Sequence, residues 1–231
     1  MDIEAQKRVA AERAANLVSN GMAVGLGSGT TAEVALHILG QLYREGLRFR
    51  GVPTSSQTAE IAQSYGVPLT TLEQDPELDL AIDGADEVDH DLNCIKGHRG
   101  QLLREKIVAA AAHEFVVLID SSKRVQRLGE RSPIPVEVVP FGWTTTRARL
   151  QKHGFSCSLR GGAAPYITAG QNYILDCVAP PDVNLADESI GSLLKSQVGV
   201  VEHGIFLAMA ATVVVGLADG SVQMLQRPRQ S

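Results

Sequence analysis

The chain has 231 residues, with 21 lysines and arginines against 26 aspartates and glutamates, which gives a formal net charge of −5. A content of 44% hydrophobic and 20% charged residues is ordinary for a folded globular protein and excludes a disordered chain. The mild acidity and the lack of a basic run argue against nucleic acid or an anionic membrane surface as a partner.

The amino terminus and the cysteines predict a cytoplasmic protein. The first 15 residues carry charges of both signs and no apolar core, unlike a secretory signal. The apolar stretch from Ile205 to Leu217 is shorter than the roughly 18 residues that a membrane helix needs. Cys94, Cys157 and Cys177 are odd in number and widely spaced, so they match neither a disulfide framework nor a metal knuckle and favour a reducing compartment.

Strands and helices alternate through the first half of the chain. The hydrophobic periodicity predicts, in order, a helix around Ala10–Val18, a strand at Met22–Leu26, a helix through Ala35–Leu42, a strand at Phe49–Val52, a helix over Ser56–Tyr65, a strand at Leu78–Ile82, a helix over Gln101–Ala112 and a strand at Phe115–Ile119. This alternation is typical of an α/β fold with a mostly parallel, Rossmann-like sheet and helices on both faces.

The pattern changes after Lys123. Strands are predicted at Val136–Val139, Phe155–Leu159 and Tyr173–Val178, with helices over Thr144–Lys152 and Leu185–Lys195. The order suits a small inserted α+β, ferredoxin-like lobe. The last 30 residues predict an apolar helix that includes the residues after His203, then a strand at Thr212–Leu217 and a final strand. We therefore expect a main α/β domain of residues 1–130 and 204–231, which carries the active site, and a small lobe of residues 131–203.

Four polar loops follow predicted strands, and ligands bind beyond the carboxyl ends of strands in open parallel sheets. The loops are Gly27–Thr31, Pro53–Gln57, Asp83–Asp86 and Asp120–Lys123. The first loop joins a strand to a helix, where free backbone N–H groups favour an anion. It also fits a loose dinucleotide pattern or a purely structural turn. No acidic residue follows about 20 positions later to hold a ribose, so a phosphate monoester is favoured over a dinucleotide.

The segment from Asp83 to Asp91 is the densest acidic cluster of the chain. Its spacing does not match a calcium loop, because Ala85 occupies a ligand position. Glu87, Asp89 and Asp91 are interpreted as a solvated loop. Asp83 and Asp86 directly follow an apolar strand, so we expect them at the ligand-binding edge of the sheet, within reach of sugar hydroxyls.

Cationic residues and one glutamate complete the candidate site. Lys96 precedes a glycine-bounded turn, and Lys123 follows another strand. Glu105 lies near the start of a helix, where it is either a partner of the helix dipole or, if buried, a general base.

Together these motifs resemble the type A ribose-5-phosphate isomerases. The resemblance rests on the stretches Gly25–Ala32, Gly51–Ser55, Asp83–Glu87, Ile95–Gly97, Leu103–Lys106 and Asp120–Lys123, and it continues through Pro135–Val138, Asn172–Asp176 and Val201–Phe206. These stretches cover nearly the whole chain in order.

The resemblance implies interconversion of ribose 5-phosphate and ribulose 5-phosphate through a cis-enediol, without metal or cofactor. Glu105 would be the general base, with Asp83, Asp86 and Lys96 as further catalytic groups. Substrate contacts would come from Ser28, Gly29, Thr30, Thr31, Asp83, Gly84, Ala85, Asp86, Lys96, Gly97, His98, Arg99 and Lys123. A homodimer or homotetramer is implied as well.

One stretch departs from the family pattern. Several glycines usually follow the lysine, but this chain has His98 and Arg99 between Gly97 and Gly100. These side chains either point to solvent or a subunit contact, or narrow the pocket or add a phosphate contact. An isomerase of shifted specificity and a non-catalytic sugar-phosphate sensor remain as alternatives.

Overall fold

The computed structural model describes residues 2–228. Its helices are α1 (Ile3–Ala15), α2 (Thr30–Glu45), α3 (Ser56–Ser64), α4 (Leu102–Ala110), α5 (Trp143–Lys152) and α6 (Glu188–Ser196). Its strands are β1 (Ala23–Leu26), β2 (Arg50–Pro53), β3 (Leu78–Gly84), β4 (Glu87–Val88), β5 (Cys94–Ile95), β6 (Ala112–Asp120), β7 (Ile134–Val138), β8 (Ser156–Leu159), β9 (Tyr173–Val178), β10 (Val200–His203), β11 (Ile205–Phe206), β12 (Thr212–Gly216) and β13 (Val222–Gln226).

The chain forms two compact units, each built from separate segments. The first unit contains the residues up to Ala85, Arg104–Arg124, and the residues from Ala208 onward. The second unit contains Asp86–Leu103 and Val125–Leu207.

A six-stranded sheet forms the centre of the first unit, in the order β13-β12-β6-β3-β1-β2. All neighbouring strands are parallel except β13, which pairs with β12 in the antiparallel sense. Val24, Leu80, Val116 and Val214 are fully or almost fully buried in its core. The chain passes from β1 to β2 on one side, whereas β3 pairs on the other side of β1. The crevice at the carboxyl ends of β1 and β3 is therefore the position where such sheets bind ligands.

Helix α1 packs closely on this sheet because its buried face consists of small residues. Ala10, Ala11 and Ala14 are all fully buried. Gly216 on β12 makes this close approach possible, because a Cβ atom there would overlap the backbone carbonyl of Gln6 in α1.

The second unit contains two antiparallel sheets. One has the order β10-β7-β9-β8, and the other has the order β11-β5-β4. Val136, Leu150, Leu175 and Leu194 are fully buried in the apolar core that α5 and α6 share with the larger of these sheets.

The fold class predicted from the sequence is confirmed, with two differences in the path of the chain. Residues 86–103 group with the second unit, where β4 pairs with β5 and β5 pairs with β11. The predicted apolar helix after His203 is wrong: this histidine ends β10, and β11 and β12 follow. The helix prediction failed because a continuous apolar run has no period that separates helix from strand.

The cysteine interpretation is corrected by the pairing of β8 with β9. Cys157 and Cys177 lie directly opposite each other in this antiparallel pair and are joined by a disulfide, while Cys94 is a buried free thiol. The strand register that brings the two cysteines together is not visible in their spacing along the chain. The cysteine argument for a reducing compartment therefore no longer holds.

The solvated-loop interpretation of the acidic cluster is wrong for two of its three residues. Glu87 is 1% exposed and accepts hydrogen bonds from the backbone N–H groups of Gly129 (2.7 Å) and Arg131 (2.7 Å). Asp89 is also buried and accepts two backbone hydrogen bonds, one of them from Asn93 at 2.8 Å. Both carboxylates fix loop backbone in the second unit, because a buried charge needs such partners.

Candidate active site

The carboxyl ends of β1 and β3 are joined through the side chain of Asp83. Asp83 is 3% exposed, and its Oδ1 accepts hydrogen bonds from the backbone N–H groups of Ser28 (3.1 Å) and Gly84 (2.7 Å). Gly27 allows this approach, since a Cβ atom there would lie 2.6 Å from the Cβ of Asp83 and closer still to its carboxylate. The first loop and the acidic loop therefore meet, as strand order at a sheet edge requires.

A hydroxyl network supports the first loop from the carboxyl end of β2. The Oγ of Ser28 lies 2.6 Å from the Oγ1 of Thr54, and Thr58 donates a hydrogen bond to the carbonyl of Gly27 (2.9 Å). Both threonines are 1% exposed. The sequence placed this loop at the sheet edge but did not identify the two threonines individually, because threonine after a strand is also common in ordinary turns.

The start of α2 lies next to Asp83. Gly29 caps the helix with a φ of 103° and has no side chain to accept hydrogen bonds from the first turn. Thr30 begins the helix, and the Cβ of Thr31 lies 3.7 Å from the place where a Cβ of Gly84 would be. Backbone N–H groups at a helix start, with hydroxyls beside them, form a suitable environment for an anion.

Glu105 belongs to the same part of the first unit. It lies in the first turn of α4, is 4% exposed, and borders a buried gap, too small for a water molecule, that Gly27, Thr54 and Asp83 also border. Burial distinguishes this glutamate from a surface residue that only partners the helix dipole, since a carboxylate on an exposed first turn is solvated.

Lys123 lies beyond the end of β6, in a short 3-10 turn that covers Ser121–Lys123. Asp120 caps this turn by accepting a hydrogen bond from the backbone N–H of Ser122 (2.9 Å). The half-buried lysine thus follows a strand that pairs directly with β3.

The remaining predicted residues, apart from Ala85 at the end of the first segment, lie in the second unit. Lys96 directly follows β5 and is 2% exposed, and its backbone N–H donates to the carbonyl of Gly204 (2.8 Å). Its Nζ lies 5.5 Å from the centre of the Phe206 ring. Asp86 is half-buried, and its Oδ2 accepts a hydrogen bond from the backbone N–H of His98 (3.0 Å).

The turn after Lys96 keeps glycine at the two positions that require it. Gly97 and Gly100 have φ values of 106° and 79°, and the N–H of Gly100 donates to the carbonyl of Gly97 (2.9 Å). His98 and Arg99 occupy the two central positions without positive φ, and both are exposed. The departure from a run of glycines therefore leaves the backbone of the turn unstrained.

Two aromatic side chains of the second unit lie in contrasting environments. The Tyr166 hydroxyl donates to the carbonyl of Arg99 (3.1 Å), and its ring fills the space where a side chain at Gly100 would lie. Phe141 is 94% exposed and so is not a core residue.

Residues 2–228 contain neither a metal-binding cluster of side chains nor a membrane-spanning helix. In that part of the chain, no group of three or more histidine, cysteine, aspartate or glutamate side chains could hold a metal ion. No helix within the same residues is long and apolar enough to cross a membrane.

Comparisons with known proteins agree on one family. Residues 50–220 match the family model of ribose 5-phosphate isomerase A (phosphoriboisomerase A). The ribose-5-phosphate isomerase A of Synechococcus sp. (strain JA-3-3Ab) is 52% identical over 218 residues, which cover 93% of this chain and 94% of the relative. That of Roseiflexus castenholzii is 48% identical, covering 97% of each chain.

Solved structures give the same result. A D-ribose-5-phosphate isomerase in complex with phospho-erythronic acid is 36% identical and superposes with a TM-score of 0.93, covering 98% of this chain and 100% of the other. The ribose 5-phosphate isomerase A of Methanocaldococcus jannaschii is 39% identical with a TM-score of 0.89, covering 96% and 98%. With near-complete coverage in sequence and in structure, this chain belongs to the ribose-5-phosphate isomerase A family of enzymes.

Proposed function

We propose that this enzyme interconverts ribose 5-phosphate and ribulose 5-phosphate, with Glu105 as the proton-transfer base. The burial of Glu105 beside Asp83, at the carboxyl ends of β1 and β3, is the observation that carries this proposal. The names of the relatives supply ribose 5-phosphate and the class of reaction, and the aldose-to-ketose chemistry makes ribulose 5-phosphate the proposed product. The arrangement of the first unit supports the roles of its residues.

The phosphate of the substrate is assigned to the start of α2. Ser28, Thr30 and Thr31 offer hydroxyl and backbone donors there, and Lys123 adds a positive charge after β6. Binding energy from this non-reacting end holds the sugar so that its first two carbons lie close to the base.

The proton transfer needs one carboxylate. With the ring open, Glu105 removes the proton from C2 of the aldose and returns it to C1, while the proton on the C2 oxygen moves to the C1 oxygen. The intermediate is a planar cis-enediol, so both carbons present the same face to the base. General base catalysis of this type contributes about 10²–10⁴ in rate.

The other predicted groups have electrostatic and orienting roles in this proposal. Asp83, whose carboxylate is oriented by two backbone N–H groups, orients the sugar hydroxyls and assists ring opening together with Asp86. Lys96 stabilises the negative charge that develops on the carbonyl oxygen, a contribution of roughly 3 kcal/mol for one positioned donor. A cytoplasmic location and a homodimeric or homotetrameric state stay predictions.

An assay of ketose formation from ribose 5-phosphate, in the presence of EDTA, tests the proposal. The wild-type enzyme should be active, and Glu105→Gln, which keeps the shape of the side chain but cannot accept the proton, should lose about 10²–10⁴-fold in kcat. Glu188→Gln is the matched control, because Glu188 also lies in the first turn of a helix but is exposed. Full activity in Glu105→Gln would remove this residue from the mechanism.

A further inference from the structure

The turn Gly97–Gly100 is held in place by side chains that the sequence did not identify. The Nη1 of Arg160 donates to the carbonyl of Gly97 (3.0 Å) and to the carbonyl of His98 (2.9 Å). The hydroxyl of Tyr166 donates to the next carbonyl, that of Arg99 (3.1 Å). Two side chains of the same unit thus bind three successive carbonyls of the turn.

Arg160 is itself held in one orientation by Asp176. Its Nε donates to the Oδ2 of Asp176 (3.0 Å), and its Nη2 donates to the Oδ1 of the same carboxylate. The two side chains are only 15% and 21% exposed. Such a two-point contact fixes the plane of the guanidinium, so its Nη1 points in a defined direction.

The bound carbonyls determine the direction of the amides in the turn. In a trans peptide the C=O and N–H bonds point in opposite directions. With the carbonyls of Gly97 and His98 directed at Arg160, the N–H groups of His98 and Arg99 are directed away from it. The N–H of His98 accordingly donates to the Oδ2 of Asp86 at 3.0 Å.

We propose that Arg160 is a positioning residue for the isomerase reaction, acting through the turn that follows Lys96. This inference rests on the proposed function, in which Lys96 and the turn contact the substrate. By fixing the carbonyls, Arg160 presents the N–H of Arg99 on the side of Asp86, where it serves as a preorganised donor to a substrate oxygen, while the N–H of His98 holds the carboxylate of Asp86. Donors that need no reorganisation contribute most to the stabilisation of developing charge.

Lysine cannot replace Arg160 in this role. An ammonium group is a single point of positive charge, whereas the guanidinium binds Asp176 with two nitrogens and the turn with a third. Arg160→Lys therefore keeps the charge and one contact to Asp176 but loses the link to the turn. Arg160→Gln removes the positive charge, the paired contact to Asp176 and the link to the turn.

Arg50 provides a matched control for the loss of such a pair. Its Nε donates to the Oδ2 of Asp75 (2.8 Å), its Nη2 pairs with the Oδ1, and its Nη1 donates to the carbonyl of Gly21 (2.9 Å). This contact pattern is similar to that of Arg160, with one backbone carbonyl bound in place of two. Arg50, however, begins β2 at the amino end of the strand, away from the loops that follow the strands. Arg50→Gln thus reports the general cost of losing such a pair.

The experiment measures kcat and KM for ribose 5-phosphate in the wild type, Arg160→Lys, Arg160→Gln and Arg50→Gln. All are assayed at a temperature where circular dichroism shows them to be folded. We expect kcat/KM to fall about 10-fold or more in Arg160→Lys and about 100-fold in Arg160→Gln. In Arg50→Gln, kcat/KM should stay within about 3-fold of the wild-type value, even if the melting temperature of this variant falls by as much as that of Arg160→Gln.

Two further measurements keep the inference open to refutation. If Arg160→Gln does not fold, Tyr166→Phe removes only the hydrogen bond to Arg99 and should lower kcat/KM by about 3- to 10-fold. Wild-type kcat/KM in both Arg160→Lys and Tyr166→Phe overturns the positioning role. If the wild-type enzyme forms no ribulose 5-phosphate, that result contradicts the proposed function and not the role of Arg160. In that case, amide hydrogen exchange of residues 97–100 tests whether Arg160 holds the turn. Exchange rates that are unchanged in Arg160→Lys overturn the inference.

Discussion

Replacing Gly27 with alanine tests whether the position of Asp83 matters for catalysis. The added Cβ would lie 2.6 Å from the Cβ of Asp83 and would overlap its carboxylate, whereas carbon atoms in contact prefer about 3.5–4.0 Å. Asp83 must therefore move by about 1 Å. Its hydrogen bond from the N–H of Ser28, now 3.1 Å, would lengthen beyond bonding distance.

The structure sets the expected size of both effects. A displacement of about 1 Å in a catalytic arrangement can cost about 10²-fold in rate, so we expect Gly27→Ala to lose about 100-fold in kcat/KM, equivalent to about 2.7 kcal/mol. Overpacking of this kind costs about 1–3 kcal/mol of stability. For a chain of this size, that corresponds to a fall of roughly 2–12 °C in melting temperature.

A coupled assay of ribulose 5-phosphate formation and a thermal melt measure the two effects. Gly84→Ala is the stability control, because its Cβ would meet the Cβ of Thr31 at 3.7 Å and the carbonyl of Leu118 at 3.8 Å, both ordinary contacts. It should melt within about 2 °C of the wild type. A Gly27→Ala protein with the kcat and KM of the wild type would refute the argument that Gly27 fixes a catalytically important carboxylate.

Two further predictions concern stability in the two units. Hydrogen bonds from Arg50 and then Thr70 lower the pKa of Asp75 to about 2, below the value of about 3.9 in an unfolded chain. In urea titrations the stability difference between wild type and Asp75→Asn should therefore be constant above about pH 5, shrink as the pH falls from about 4 to 2, and level off near pH 1. A difference that is as large at pH 2 as at pH 6 contradicts this. Glu87→Ala leaves backbone N–H groups of the loop at 129–132 without their buried acceptor, so it should lower the free energy of unfolding, measured by urea denaturation, by about 3 kcal/mol. The control Glu130→Gln, at an exposed residue, should change that free energy by less than about 1 kcal/mol. Equal effects of the two substitutions would contradict the assigned role of Glu87.

The sequence allowed the main sheet and the meeting of two polar loops at one of its edges to be predicted, because both depend on local patterns. Each parallel strand is a short apolar run followed by a polar loop, so Ser28 and Asp83 could be placed at one edge before their hydrogen bond was seen. The two-residue strands β4, β5 and β11 were not predicted, because two residues are too few to show any period.

Contacts that depend on strand register were beyond the reach of the sequence. Arg160 meets Asp176, and Cys157 meets Cys177, because β8 and β9 pair in one particular alignment. A shift of one residue would place each partner on the opposite face of the sheet. Nothing in the composition of either strand specifies that alignment.

The late position of β12 in the chain has a consequence for biosynthesis. Within the first unit β6 lies between β3 and β12, yet the whole of residues 125–207 is translated before β12 leaves the ribosome. Until then one edge of β6 exposes its unpaired backbone, flanked by the apolar side chains of Val116, Val117 and Leu118. Unpaired apolar edges of this kind promote aggregation of nascent chains, so a chaperone that shields β6 during translation should raise the yield of native enzyme.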